Sequence, residues 1–78
     1  MRATYDGTYA AYIYLREIER GGVDYSVMVD LGGPDDRPRL GSITLDFDKD
    51  DRLIGIEVLS AKDILPWEVL VAAAPPGD

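Results

Sequence analysis

Apolar and polar residues alternate one by one along most of the chain, which is the pattern of β-strands that bury one face. From Ala3 to Arg16 the pattern is broken at Asp6-Gly7, a pair that favours a tight turn, so this segment is predicted to form a hairpin. Its second arm is predicted to place Ala11, Ile13 and Leu15 on the core face, opposite Tyr12, Tyr14 and Arg16.

A third strand is predicted where alternation resumes after the charged, glycine-containing connection from Glu17 to Gly22. It begins at Val23 and has one apolar face, made of Tyr25, Val27, Val29 and Leu31. The next segment, Gly32 to Arg39, contains two glycines, two prolines and four charged residues, so we predict a solvated loop.

A second hairpin and a helix are predicted in the rest of the chain. Alternation runs from Ile43 to Leu59 on both sides of an acidic tip, and it gives way to helical spacing after Leu65. Proline suits the first position of a helix, so a short helix is predicted to begin at Pro66, with Glu68 in its first turn, and to end at Pro75-Pro76.

These elements predict a mainly β (α+β) fold, a small antiparallel β-meander of four or five strands with a short C-terminal helix. A chain of 78 residues has room for a single domain, residues 1–78. Cores of this size yield about 3–5 kcal/mol of net stability, which favours association with a second copy, most simply as a homodimer. The helix carries an apolar stripe, Trp67, Leu70 and Val71, that is expected to dock on the sheet or on a partner.

The charge balance narrows the classes of partner. A net charge of −7 and a pI near 4.3 disfavour nucleic acid and anionic membranes, and they favour a basic protein. The chain has no cysteine and no histidine, which removes thiolate chemistry, Ser-His pairs and the commonest zinc ligands. The N-terminus lacks the apolar run of a signal peptide, so a soluble, cytoplasmic protein is predicted.

The acidic tip is the main candidate for chemistry. Counted from Asp46 as position one of a calcium loop, carboxylates fall at positions three, five and twelve, as Asp48, Asp50 and Glu57. Position six is Asp51 where such loops need glycine, and both flanks alternate as strands instead of helices. We therefore predict a hairpin whose carboxylates form a solvated face, with a metal site or paired acid–base carboxylates as the alternative.

A second candidate is the stripe of tyrosines at Tyr9, Tyr12 and Tyr14, which has the aromatic character of a stacking platform for bases or sugars. Such platforms pair aromatics with cations, and near this stripe the sequence places Arg16 alone. Tyrosines are also good strand formers whose rings pack in cores and interfaces. Packing is the interpretation that we prefer.

Several segments together resemble a small bacterial family, domain of unknown function 2283. They are Tyr5-Asp6, Ala10 to Leu15, Leu45 to Asp48, Arg52 to Leu59 and Leu65-Pro66. The resemblance implies a small antiparallel sheet with a short C-terminal helix, and it brings no catalytic residue. It also implies an antitoxin-like role beside a small toxin-like protein. Asp51 stands where that family commonly has glycine, so we expect Asp51 to adopt the left-handed conformation.

The function predicted from these observations is a non-enzymatic, self-associating interaction module with an acidic surface. No catalytic, cofactor-binding or metal-binding residue is assigned. Two alternatives remain: a small metal-dependent enzyme or ligand binder that uses Asp46, Asp48, Asp50 and Glu57, and an antitoxin-like partner of a small basic protein.

Overall fold

A computed structural model describes residues 1–32 and 41–77 and shows one antiparallel sheet with two short helices. The strands are β1 Arg2–Tyr5, β2 Ala10–Tyr14, β3 Tyr25–Leu31, β4 Gly41–Phe47 and β5 Leu53–Leu59, and the helices are α1 Ala61–Ile64 and α2 Trp67–Ala72. The mainly β fold class is confirmed. Apart from Gly32, the predicted loop Gly32 to Arg39 lies outside the described residues.

The spatial order of the strands is β1-β2-β5-β4-β3. Strands β3, β4 and β5 form a meander, and the β1–β2 hairpin joins the sheet at β5 instead of beside β3. This order brings Ala11 opposite Val58 and Ile13 opposite Ile56, so the apolar residues of the central strands lie side by side. The connection of residues 15–24 therefore crosses from a central strand to the far edge of the sheet.

The core lies on one face of the sheet, which we call the apolar face, beneath the two helices. Its buried centre consists of Ala11, Val58, Ala61 and Leu70, and Tyr5, Ile43, Ile56, Ile64 and Leu65 pack around it. The opposite face, which we call the polar face, carries Tyr12, Tyr14 and Asp46. This division confirms the faces predicted for β2, except that Leu15 lies beyond the strand and is exposed.

The C-terminal helix begins one residue later than predicted, since Pro66 is the capping residue and Trp67 is the first helical one. Glu68 lies in the first turn, as predicted. The helix ends at Ala72, before the prolines, because Ala74 leaves it to bond with β1. The Tyr5 N–H donates to the Ala74 carbonyl at 2.8 Å, and the Ala74 N–H donates to the Ala3 carbonyl at 3.0 Å.

The predicted C-terminal helix is present as α2, and a further short helix that was not predicted, α1, precedes it. Four residues are too few to display a helical period in the sequence. The turn that starts α1 depends on Ser60, which has a φ of 57°, in the left-handed region. The predicted apolar stripe of α2 also divides, because Leu70 is buried whereas Trp67 is 75% exposed.

Candidate functional site

A buried carboxylate joins three strands on the polar face. The Tyr12 hydroxyl on β2 donates to Asp46 Oδ2 on β4 at 2.5 Å, and the Ser26 hydroxyl on β3 donates to Asp46 Oδ1, also at 2.5 Å. Asp46 is 9% exposed. A carboxylate removed from water is stabilised when both of its oxygens accept hydrogen bonds, and here both do.

Gly55 on β5 makes this arrangement possible. It lies opposite Asp46 in the sheet, directly beneath the path of the Tyr12 side chain. A Cβ at Gly55 would lie 2.6 Å from Tyr12 Cζ, closer than real Cβ contacts allow. The glycine is thus the gap over which the tyrosine ring crosses from β2 to β4. We call the set Tyr12, Gly55, Asp46 and Ser26 the polar row.

The chemistry of Tyr12 follows from this position. Burial of the phenol and its hydrogen bond to Asp46 raise the pKa of Tyr12 well above its ordinary value. The hydroxyl therefore stays protonated at neutral pH and acts as a hydrogen-bond donor. A general base needs a pKa near the working pH, which this phenol does not have.

Tyr14 and Arg2 extend the polar row towards β1. The rings of Tyr12 and Tyr14 have centroids 4.6 Å apart, and the Arg2 guanidinium lies 3.9 Å from the centroid of the Tyr14 ring. Arg2 also pairs with Glu17 at 3.0 Å, and this contact lowers the pKa of the Glu17 carboxyl. Tyr9, 52% exposed, lies outside β2 in the turn that precedes it. Two of the three tyrosines thus pack on the sheet of their own chain.

Asp48 organises the tip of the β4–β5 hairpin. Its Oδ1 accepts the N–H groups of Asp50 at 2.9 Å and Arg52 at 3.0 Å, and its Oδ2 accepts a hydrogen bond from Arg16 at 2.7 Å. The backbone N–H of Arg52 is the main reason that the pKa of Asp48 is lowered. Asp51 has a φ of 62°, which confirms the left-handed conformation expected at the tip.

These contacts correct the predicted solvated face. The prediction holds for Asp50, which is exposed, and is wrong for Asp46 and Asp48, which are buried. Glu57 lies opposite Thr44 and Tyr12, so it does not face Asp46 directly. In residues 1–32 and 41–77, no three acidic side chains are placed to hold a metal ion together.

The alternation of the acidic tip did not indicate that two of its carboxylates are buried. For Asp48, a local sequence pattern does indicate a structural role. Asp48 is followed two and four residues later by residues whose N–H groups it accepts, an arrangement typical of aspartate in turns. The acceptor role of Asp46 depends on Tyr12 and Ser26, which are 34 and 20 residues away in the chain. No local pattern indicates that role.

The sequence model of the family described as protein of unknown function (DUF2283) matches residues 3–62. The chain belongs to this family. The match covers the five strands of the DUF2283 protein almost entirely and ends within α1, before the Leu65-Pro66 pair. Searches of curated proteins and of solved structures gave no significant match.

The two edges of the DUF2283 sheet differ. The outer edge of β1 bonds to Ala74, which forms a parallel bridge with Thr4. No strand in the described part of the chain pairs with the outer edge of β3, which we call the open edge. Val27 is 43% exposed there and Met28 is 68% exposed. Alternation predicted this strand, which begins at Tyr25 instead of Val23, but it does not distinguish an edge strand from a central one.

None of the described helices has the length and apolar character needed to cross a membrane.

Proposed function

We propose that this DUF2283 protein is a non-enzymatic interaction module that self-associates at β3, beside the uncovered half of its apolar face. The observation that carries the proposal is the uneven cover of that face. Ala11 and Val58, beneath the helices, are 3% and 2% exposed, whereas Val27 and Val29 on β3 are 43% and 36% exposed. Apolar surface of this kind gains free energy when a partner removes it from water.

A second copy is the occupant that suits this surface. The patch consists of Val27 and Val29 on β3 and Leu45 on β4, and it contains no charged side chain. A partner that binds through charged side chains would form no ion pair with this patch. Another copy offers the same uncharged patch, and a twofold axis beside β3 lets the valines of one copy contact those of the other. The small size of the core gives the chain a further gain from this burial.

The non-enzymatic part of the proposal is supported by how the carboxylates are used. Asp46 accepts two hydroxyl donors, and Asp48 accepts two N–H groups and an arginine. In the described part of the chain, every buried side-chain nitrogen and oxygen has a hydrogen-bond partner. Catalytic carboxylates need lone pairs directed at a substrate or a metal, and these two carboxylates direct theirs into the fold.

The acidic surface supports a further part of the proposal, that the module binds a basic protein. The chain has fifteen acidic and eight basic residues. Asp50, Asp63 and Glu68 are exposed on the hairpin tip and the two helices. An antitoxin-like module would use such a surface to hold a small basic protein. Binding of a lysine-rich peptide that weakens steeply with added salt is the expected result, and salt-independent binding would contradict it.

Self-association is tested by sedimentation velocity over micromolar concentrations. The wild type is expected to be a dimer. Replacing both Val27 and Val29 by glutamate should give a monomer, since it places carboxylates in the apolar contact. The matched control replaces Trp67 and Val71 on α2 by glutamate, which adds the same charge at residues that are 75% and 62% exposed, and it should remain a dimer. A monomeric wild type, or a helix variant that alone dissociates, would refute the proposal.

A further inference from the structure

We infer that two copies join edge to edge, with β3 of one copy antiparallel to β3 of the other and the twofold axis at Met28. The inference rests on the proposed function, because it requires that the chain self-associates. It adds the contacting strand and its register. The product is a continuous sheet of ten strands, five from each copy.

The first argument is that β3 lacks most of the features that protect edge strands from pairing. Such edges carry charged residues, above all lysine, or a proline or a bulge, or they are short. Strand β3 has seven residues, Tyr25–Leu31, without proline or lysine, its one charged residue is Asp30, and its pairing with β4 is regular throughout. At the other edge of the sheet, β1 has four residues and is bonded to Ala74.

The second argument is that β3 is complementary to itself about Met28. In this register all seven residues pair. Val27 lies opposite Val29 of the partner subunit, so four valines form one apolar row across the junction. On the polar face Ser26 lies opposite the partner's Asp30, and Met28 lies opposite its own equivalent. Like charges do not face each other anywhere along the seven pairs.

Neighbouring registers are less favourable. An axis at Val27 places Asp24 opposite Asp30 of the partner subunit, and like charges that are directly opposite destabilise a strand pair. An axis at Val29 places Met28 opposite the partner's Asp30 and shortens the overlap of the two strands. A shift by a single residue brings the apolar face of one copy beside the polar face of the other. Centring on Met28 avoids all three costs.

The third argument is that the open edge is already ordered before any partner arrives. Ser26 is hydrogen-bonded to Asp46, and the Tyr25 hydroxyl donates to Asp51 Oδ1 at 2.9 Å. The ring of Tyr25 also stacks on Phe47, with centroids 5.0 Å apart. These contacts fix β3 from the side of β4. A strand that is held in its bound conformation loses less entropy on pairing, so the edge is suited to association.

The register is tested with single cysteines, since the chain has none of its own. Met28→Cys places two thiols opposite each other across the axis, at a Cα separation of about 5 Å that suits a disulfide. In Val27→Cys or Val29→Cys alone, the two thiols are offset by about 7 Å along the strand. Under mild oxidation, Met28→Cys should form the disulfide dimer at least about tenfold faster than either, or than Lys62→Cys on α1.

A mixture gives an independent measure should Met28→Cys fold poorly. Val27→Cys and Val29→Cys should cross-link when mixed and not when separate, because these positions face each other across the two copies. A wild type that sediments as a monomer would overturn the proposed function and this inference with it. A dimer that cross-links through Val27→Cys alone, or through no cysteine on β3, would overturn the register or the edge and leave self-association standing.

Discussion

The two faces of this small sheet hold it together in different ways. On the apolar face, burial is concentrated around Leu70 and Val58, beneath the helices, and it declines towards β3. On the polar face, hydrogen bonds from Tyr12 and Ser26 converge on Asp46 and join β2, β4 and β3 across the glycine of β5. The apolar face thus stabilises the half of the sheet that lies beneath the helices. The hydrogen bonds of the polar face extend to β3 at the open edge.

The difference shows how an edge strand can be ordered without being buried. Val27 and Val29 contribute little burial within one copy, yet Ser26 fixes their strand through Asp46. Hydrogen bonds to a charged group are stronger than neutral ones and have a defined direction, so they position a strand well. An apolar edge can thus remain exposed and regular, which is the condition that pairing with a second copy requires.

The largest loss of stability is expected when a side chain is truncated in the buried half of the apolar face. Leu70→Ala should lower the free energy of unfolding by about 3 kcal/mol, since it removes buried methyl groups and leaves a cavity. Val29→Ala on the open side should lower it by less than about 1 kcal/mol. Urea unfolding at a concentration where the chain is monomeric measures both changes. Equal losses would show that the apolar face is not divided in this way.

A somewhat smaller effect is expected from a methyl group placed under the polar row. Gly55→Ala should cost about 2 kcal/mol, because the added Cβ overlaps the Tyr12 ring. In a Tyr12→Ala background the same substitution should be neutral or stabilising, since alanine is otherwise better than glycine within a strand. The double-mutant cycle isolates this coupling. A cost that is the same in both backgrounds would show that Tyr12 is not what excludes a side chain at Gly55.

Strand periodicity was enough to predict the sheet, because each of the strands in residues 1–32 and 41–77 has one apolar face. The left-handed conformation at Asp51 was expected from the family resemblance, because Asp51 stands where the family commonly has glycine, and the structure confirms it. Strand periodicity does not determine the order of the strands in the sheet. The position of the β1–β2 hairpin beside β5 depends on contacts such as Ala11 with Val58, which are remote in the sequence.

The candidate site was less predictable than the fold, for a physical reason. Asp46 and Asp50 have the same chemistry and the same spacing pattern, yet one is buried and the other is exposed. Asp46 differs because the Tyr12 side chain crosses Gly55 to contact it. Tyr12 and Gly55 lie on two strands that become neighbours only in the folded sheet. A glycine within an otherwise regular strand is the one signal in the sequence, since it indicates that another group approaches closely.

A modest effect is expected from removing one donor of the polar row. Ser26→Ala should lower the free energy of unfolding by about 1 kcal/mol, because Asp46 keeps its bond to Tyr12. Hydrogen exchange of the amides of β3 should accelerate more than that of β2, since Ser26 holds the edge strand. Ser26→Thr retains a hydroxyl and serves as the control. Equal exchange in the alanine and threonine variants would exclude the anchoring role.

The smallest effect is expected from acid, which removes the charge of carboxylates without changing the burial of apolar side chains. Backbone N–H groups lower the pKa of Asp48 below 3.8 and that of Asp6 to about 2. A carboxyl whose pKa is lower in the folded state contributes stability above its unfolded pKa, and this contribution is lost as the pH falls through its folded pKa. Stability should therefore decline from about pH 4 to about pH 2, while apolar burial stays constant.

Replacing Asp6 and Asp48 by asparagine should flatten this decline in urea unfolding, leaving a small part due to Glu17. An unchanged slope would place the acid sensitivity outside the two hairpin turns.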